Sequence, residues 1–285
     1  MTIQPECIGC IAAQSRRVCD AIHADKTLSG EITRYVDGKL EEADFSLSPP
    51  VLAAPLYEAM ARIAGKYDLY DEQKRQATAQ AREYLPYLRE TIESAEDPFT
   101  ALLKTAVVGN VIDLAAEVSF DLHDAINSVF DTPFALDDSH ALHQALQNAK
   151  TLLYIGDNTG EHIFDALVIE KLSTLYPGCA ITYAVRGNPI INDVTMIEAR
   201  EAGFERYCSL CDSGVPTPGF VYELATQEAR SLFDTADLIL AKGMGNYECM
   251  TPQRRKGIAF LLKVKCSVVA ASLGQNIGDI VCKFD

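Results

Sequence analysis

Residues 151–172, "TLLYIGDNTGEHIFDALVIEKL", decide how this chain is read. The first five are apolar or β-branched, the content of a buried strand. From Glu161 onward the apolar residues read as a helix. Asp157, Asn158, Thr159 and Gly160 lie between, so strand, turn and helix follow within a few residues, as in a βαβ unit. Alone, Asp157 or Asn158 reads equally well as an N-cap or Asx-turn residue. The decision rests on whether other strands bring polar partners to the same edge.

Three more runs, "AITYAV" (180–185), "DLILA" (237–241) and "SVVAAS" (267–272), read as buried strands with helical stretches between most of them. This alternation predicts an α/β domain over residues 146–285, a mostly parallel sheet covered on both faces. Residues 1–145 read instead as a helical N-terminal domain. In "VLAAPLYEAMARIAGKY", Leu52, Leu56, Met60 and Ile63 form one apolar stripe, and Pro86 should kink or split the long charged helix after residue 71. Gly109 and Asn110 interrupt a third helical stretch, which points to a break, close packing or a site.

Ligands of an open parallel sheet bind beyond the carboxyl ends of its strands. Those positions hold Asp157, Asn158 and Glu161 after the first strand, and Arg186, Asn188 and Asp193 after the second. Lys242, Asn246 and Glu248 follow the third. Asp157, Asn158 and Asp193 are hard oxygen donors suited to Mg²⁺ or Mn²⁺, and they leave room for water and a substrate oxygen. The helix start near Gly160 is a seat for phosphate, and Lys242 and Arg186 could neutralise a phosphoryl group. Together these groups point to metal-assisted phosphate-ester hydrolysis. Asp193 alone could equally cap the next helix, and Lys242 alone could be a solvated lysine.

The net charge of −15 excludes an extended nucleic-acid or anionic-membrane surface, which would need clustered cations. No apolar run approaches the ~20 residues that span a bilayer. "MTIQPECIGC" lacks the regions of a secretory signal, so a cytoplasmic protein is expected. The oligomeric state is not legible.

Five motifs in order, "CIGC", "VVGNVID", "GDNTGEHIFD", "VRGNPIINDVT" and "AKGMGNYE", closely resemble the metal-dependent damage-control phosphatases. The resemblance implies a helical segment before a Rossmann-like, three-layer α/β/α catalytic domain. It also implies metal ligation by Asp157, Asn158 and Asp193, with Mn²⁺, Ni²⁺, Co²⁺ or Mg²⁺ as the ion. The substrates implied are small phosphorylated metabolites, sugar phosphates or damaged side products. Asp157, Lys242 and Arg186 are then the expected catalytic residues, and Asn110, Glu161, Asn188 and Asn246 the expected substrate contacts. Asp113 would bring the helical half to the pocket edge. Attack by metal-activated water competes with attack by Asp157 through an aspartyl-phosphate.

Cys7-x-x-Cys10 and Cys208-x-x-Cys211 could meet in one tetrahedral zinc site, act as redox pairs, or be incidental thiols. His162, in the first turn of its helix, reads as a solvated position. A Rossmann-like layout also admits an S-adenosylmethionine-dependent methyltransferase, although no glycine-rich cofactor loop of the usual kind follows the first strand. A non-catalytic metal- or metabolite-binding module would show metal-dependent stabilisation without turnover.

Overall fold

The computed structural model describes residues 1–111, 122–251 and 255–285, and Asp113 lies outside them. The N-terminal part is α1 (Pro5–Ala21), α2 (Lys26–Leu40), α3 (Pro49–Ala64), α4 (Asp71–Glu83), α5 (Leu85–Ser94), α6 (Pro98–Val111), α7 (Leu122–Asp131), β1 (Leu136–Asp137) and α8 (Ser139–Asn148). Strands and helices then alternate: β2 (Thr151–Ile155), α9 (Glu161–Leu175), β3 (Ala180–Val185), α10 (Met196–Ala202), β4 (Ser209–Asp212), α11 (Gln227–Thr235) and β5 (Leu238–Lys242). The chain ends with α12 (Gly243–Met250), β6 (Ile258–Lys263), α13 (Ser267–Leu273) and β7 (Ile280–Phe284).

The sheet runs β1-β7-β6-β5-β2-β3-β4 and is parallel except where β6 meets β7. The chain proceeds outward from β2 through β3 to β4, then returns to the other side of β2 as β5. Strand order therefore reverses at β2, which opens a crevice above the carboxyl ends of β2, β3 and β5.

Pro86 acts as expected: the helix breaks at Tyr84 and restarts with Pro86 in the first turn of α5. Gly109 and Asn110 do not break α6. A Cβ on Gly109 would lie 2.2 Å from Cγ of Glu161, so glycine there is what lets α6 lie against α9. "SVVAAS" is helix α13, not a strand. Cys266 Sγ accepts from the Val269 N–H at its start, and Gly274 ends it in the left-handed region. The place beside β5 is taken by Ile258–Lys263, because a short apolar run suits a strand or a buried helix equally.

One apolar core joins α4–α8 to a face of the sheet, with Leu88, Leu102 and Ile126 packed together with Phe164, Tyr183 and Leu240. The other face packs on α11–α13 through Phe233, Tyr247 and Val269. Helices α1–α3 form a separate cluster around Val18, Ile32 and Met60, and Ile190, from the loop after β3, inserts into it. Buried Lys74 of α4 ties down the following segment, bridging Asp68 and Glu198 at 2.9 Å each, while Glu198 accepts from Thr195 at the start of α10.

Candidate active site

The crevice above β2, β3 and β5 is built on two buried cations. Arg186 leaves the end of β3 and is 1% exposed, and Lys242 ends β5 with no exposure. Around them stand Asp157, Glu161, Asp165 and Asp193, all buried.

Asp193 comes into place because the loop after β3 folds back. Residues 193–195 run along both neighbouring strand ends: Asn158 bridges Asp193, Arg186 bridges Thr195, and the Val194 N–H donates to the Asp157 carbonyl at 2.8 Å. The Thr159 N–H donates to the Asn192 carbonyl at 2.7 Å. Within this brace Arg186 Nε donates to Asp193 Oδ2 at 2.7 Å, and Nη2 lies 3.7 Å from Asp157 Oδ1. Gly243, at φ +77°, lets α12 begin against this site, since a Cβ would lie 1.9 Å from Asp157 Oδ2.

Burial first, then the charges of Glu161 and Asp193, pushes the Asp157 carboxyl well above the usual carboxylate range. Burial also pushes Asp193 up to about 6, against the lowering pull of Arg186. With all four carboxyls ionised, Asp157, Glu161, Asp165 and Asp193 against Lys242 and Arg186 leave two negative charges in a buried site. A divalent cation would cancel them. Asn158 Nδ2 donates to Asp157 at 3.1 Å and Glu161 at 2.8 Å, which leaves its amide oxygen as the free end. The donor set of Asp157, Asn158 and Asp193 is thus all oxygen, as hard divalent ions require. Among the described residues no three His, Cys, Asp or Glu side chains are gathered for a metal, so the amide oxygen is needed to complete such a set.

The second cation is arranged differently. Lys242 Nζ lies between Asp165 at 2.9 Å and Glu161 at 3.3 Å, and Tyr154 donates to Asp165 at 2.5 Å. Lys242, expected to meet a phosphoryl group, is thus held between two carboxylates inside the protein. Glu161 and Asn110 are also taken: the Asn110 amide donates to Glu161, which anchors Asn158 and Lys242. Asn246 is fully buried, accepting from the Phe220 N–H at 2.8 Å and donating to the carbonyls of Gly156 and Lys242. It clamps backbone and has no surface to offer a substrate. Asn188 stands at the edge of an open cavity beside the loop after β3.

His162 is wholly buried, not solvated. Its Nδ1 accepts from the Gly160 N–H at 2.9 Å, and burial lowers its pKa to about 3. At the helix start near Gly160, expected to seat phosphate, the N–H groups of Thr159 and Gly160 are held by the Asn192 carbonyl and His162 Nδ1. What remains unpartnered is more telling. Both Arg186 amino groups, the Thr159 hydroxyl and His162 Nε2 are buried without a hydrogen bond. Sequence reasoning passed over Thr159 and Asp165, although a carboxylate among the apolar residues of "HIFDALVI" was a signal of the latter.

The cysteines do not form the four-thiol zinc site. All nine are free, and no cluster of three or more possible ligands exists among the described residues. Cys7 sits on α1 with its Sγ accepting from the Gln4 N–H, whereas Cys208 packs on the sheet core next to Phe204. Long separation in sequence is not closed by this fold.

The family model described as the damage-control phosphatase ARMT1-like domain matches residues 3–281. A damage-control phosphatase of Archaeoglobus fulgidus is 32% identical over 99% of this chain and 99% of its own. One from Pyrococcus horikoshii is 30% identical over 99% of this chain and 98% of its own. A crystal structure of a DUF89 family protein from Pyrococcus horikoshii superposes with a TM-score of 0.92 at 29% identity, covering 100% of this chain and 99% of the other. No helix among the described residues is long and apolar enough to cross a membrane.

Proposed function

The chain belongs to the ARMT1-like damage-control phosphatase family, and from that premise we propose that it hydrolyses small phosphate monoesters with a divalent metal held by Asp157, Asn158 and Asp193. The observation that carries this reading is the set of orphaned buried donors. Leaving a buried donor unpaired costs about 1–3 kcal/mol, more for a charged group. Arg186 carries two such amino groups and Thr159 a hydroxyl, beside two carboxylates. A phosphoryl group would satisfy these donors, and the planar fork of arginine suits its oxygens.

In this reading Arg186 and Thr159 bind and orient the phosphoryl oxygens. Asn158 is presented by Glu161, which Lys242 and Asn110 hold in place. Lys242 is thus a positioning residue. When bound, Mn²⁺, Ni²⁺, Co²⁺ or Mg²⁺ supplies Lewis-acid polarisation of a phosphate oxygen and a more acidic water. Arg186 neutralises the charge that grows on the phosphoryl oxygens in the transition state.

The test is removal of metal with chelator, re-addition of each ion singly, and measurement of phosphate release from p-nitrophenyl phosphate and sugar phosphates. Turnover that needs metal, Asp157 and Asp193 is expected. Metal-dependent stabilisation without turnover would instead support a binding module. A trapped phospho-enzyme would replace activated water with attack by Asp157.

A further inference from the structure

The turn before α9 is held by a side chain from the helix's own first turn. His162 is wholly buried, its Nδ1 accepts from the Gly160 N–H at 2.9 Å, and its backbone N–H donates to the Asn158 carbonyl at 3.2 Å. One residue therefore grips both ends of the turn from Asn158 to Gly160. Gly160 stands at φ +94° and ψ −61°, near the γ-turn conformation that is rare and strained. Such backbone persists where its surroundings over-determine it. Here Gly160 is fixed by His162, and Thr159 by the Asn192 carbonyl at 2.7 Å.

An imidazole is not the residue that burial alone would select. Burial lowers its pKa to about 3, so the ring is neutral, and with Nδ1 accepting, its proton sits on Nε2. That N–H has no acceptor. Glu198, Arg82 and Lys74 carry the charges that act on the ring, and none of them bonds to Nε2. A buried donor without an acceptor destabilises a fold, and leucine at this position would bring none. What imidazole supplies and leucine cannot is the acceptor for Gly160. Its benefit is thus local to the turn.

The turn presents two groups to the site. Asn158 commits its amide nitrogen to Asp157 and Glu161 and offers its oxygen, and Thr159 offers a hydroxyl without a hydrogen bond. Freedom at Gly160 would be freedom for both. We propose that His162 is a positioning residue whose Nδ1, acting through Gly160, holds Asn158 in place for the metal ion and Thr159 in place for the phosphoryl group. The identity of those two ligands rests on the phosphatase reading above.

Asparagine and glutamine separate the two ring nitrogens, because an Asn side chain can place an acceptor where Nδ1 stands and a Gln side chain an amide where Nε2 stands. The test titrates unmutated protein, His162→Asn, His162→Gln and His162→Leu calorimetrically with Mn²⁺, Ni²⁺, Co²⁺ and Mg²⁺ singly, then titrates the metal-loaded forms with inorganic phosphate. Thermal unfolding of each is recorded alongside. His162→Gln and His162→Leu should weaken metal binding about tenfold or more, and phosphate binding with it, while His162→Asn stays within about threefold. Unfolding temperatures should not follow that order. Equal affinities in all four proteins, or losses that track the unfolding temperatures, overturn the proposal. Failure of His162→Gln and His162→Leu to fold also overturns it, by making the bond a requirement of the fold. Metal binding needs no turnover, so the two readings separate. Affinities in the expected order without hydrolysis of any ester overturn the phosphatase reading and keep the positioning role. No binding of any of the four ions by the unmutated protein overturns both.

Discussion

Two buried ion clusters stand side by side in this molecule, and each sets one cation between two carboxylates. Lys242 lies with Glu161 and Asp165, and Arg186 with Asp157 and Asp193. Composition does not distinguish them; hydrogen-bond satisfaction does. The lysine cluster is closed by Tyr154 and Asn110, so its charges serve each other. The arginine cluster leaves two amino groups and the neighbouring Thr159 hydroxyl without a hydrogen bond. A completed network reads as scaffold, and an incomplete one reads as a place for a ligand.

This contrast fails if both clusters respond alike to mutation. The largest effect is expected in the arginine cluster: if these residues hold the ion as proposed, Asp157→Ala and Asp193→Ala should each lower metal-dependent kcat about 10³-fold or more. Thermal unfolding without metal should change little in Asp157→Ala, which relieves crowding among carboxylates, whereas Asp193→Ala also leaves buried Arg186 without its 2.7 Å partner and should unfold more easily.

In the lysine cluster the order should reverse. Asp165→Ala leaves a fully buried ammonium short of a partner and should cost about 3–5 kcal/mol in denaturant unfolding. A stable Asp165→Ala protein with selectively lost activity would move this cluster into the chemistry.

Arg186→Lys is a finer probe. Lysine can keep the Asp193 pair yet loses the fork, so kcat/KM should fall about 10²-fold while stability is nearly kept. Near-normal rates in Arg186→Lys would mean that the orphaned amino groups do not meet phosphate.

The last effect concerns the pH dependence set by His162. Its folded pKa of about 3 lies below the unfolded value near 6.5. Between these values the unfolded chain binds the extra proton, so stability falls as pH drops through that window and is level above it with respect to this group. Unfolding measured from pH 7 to 4 should show a shallower slope in His162→Gln. An unchanged slope would place the acid sensitivity elsewhere.

Much of this was legible before the fold. The strand-turn-helix at residues 151–172, the break near Pro86 and the polar strand ends all follow from local pattern. The misreadings share a cause. "SVVAAS" became a helix because neighbouring strands took the sheet positions, and His162 became buried because α9 is covered by the helices before it. Asn246 and Lys242 carry the right chemistry for a substrate, and the fold gives them partners from Phe220, Gly156 and Asp165 that local pattern does not show.

By itself the sequence determined the alternation of elements, and with it which polar residues end parallel strands, because periodicity and chain order are local properties. Tertiary structure alone decided which of those residues remained available. Hydrogen-bond satisfaction depends on groups far apart in the chain, and only packing sets Asn110 against Glu161, Asp165 against Lys242, and no hydrogen-bond acceptor against two nitrogens of Arg186.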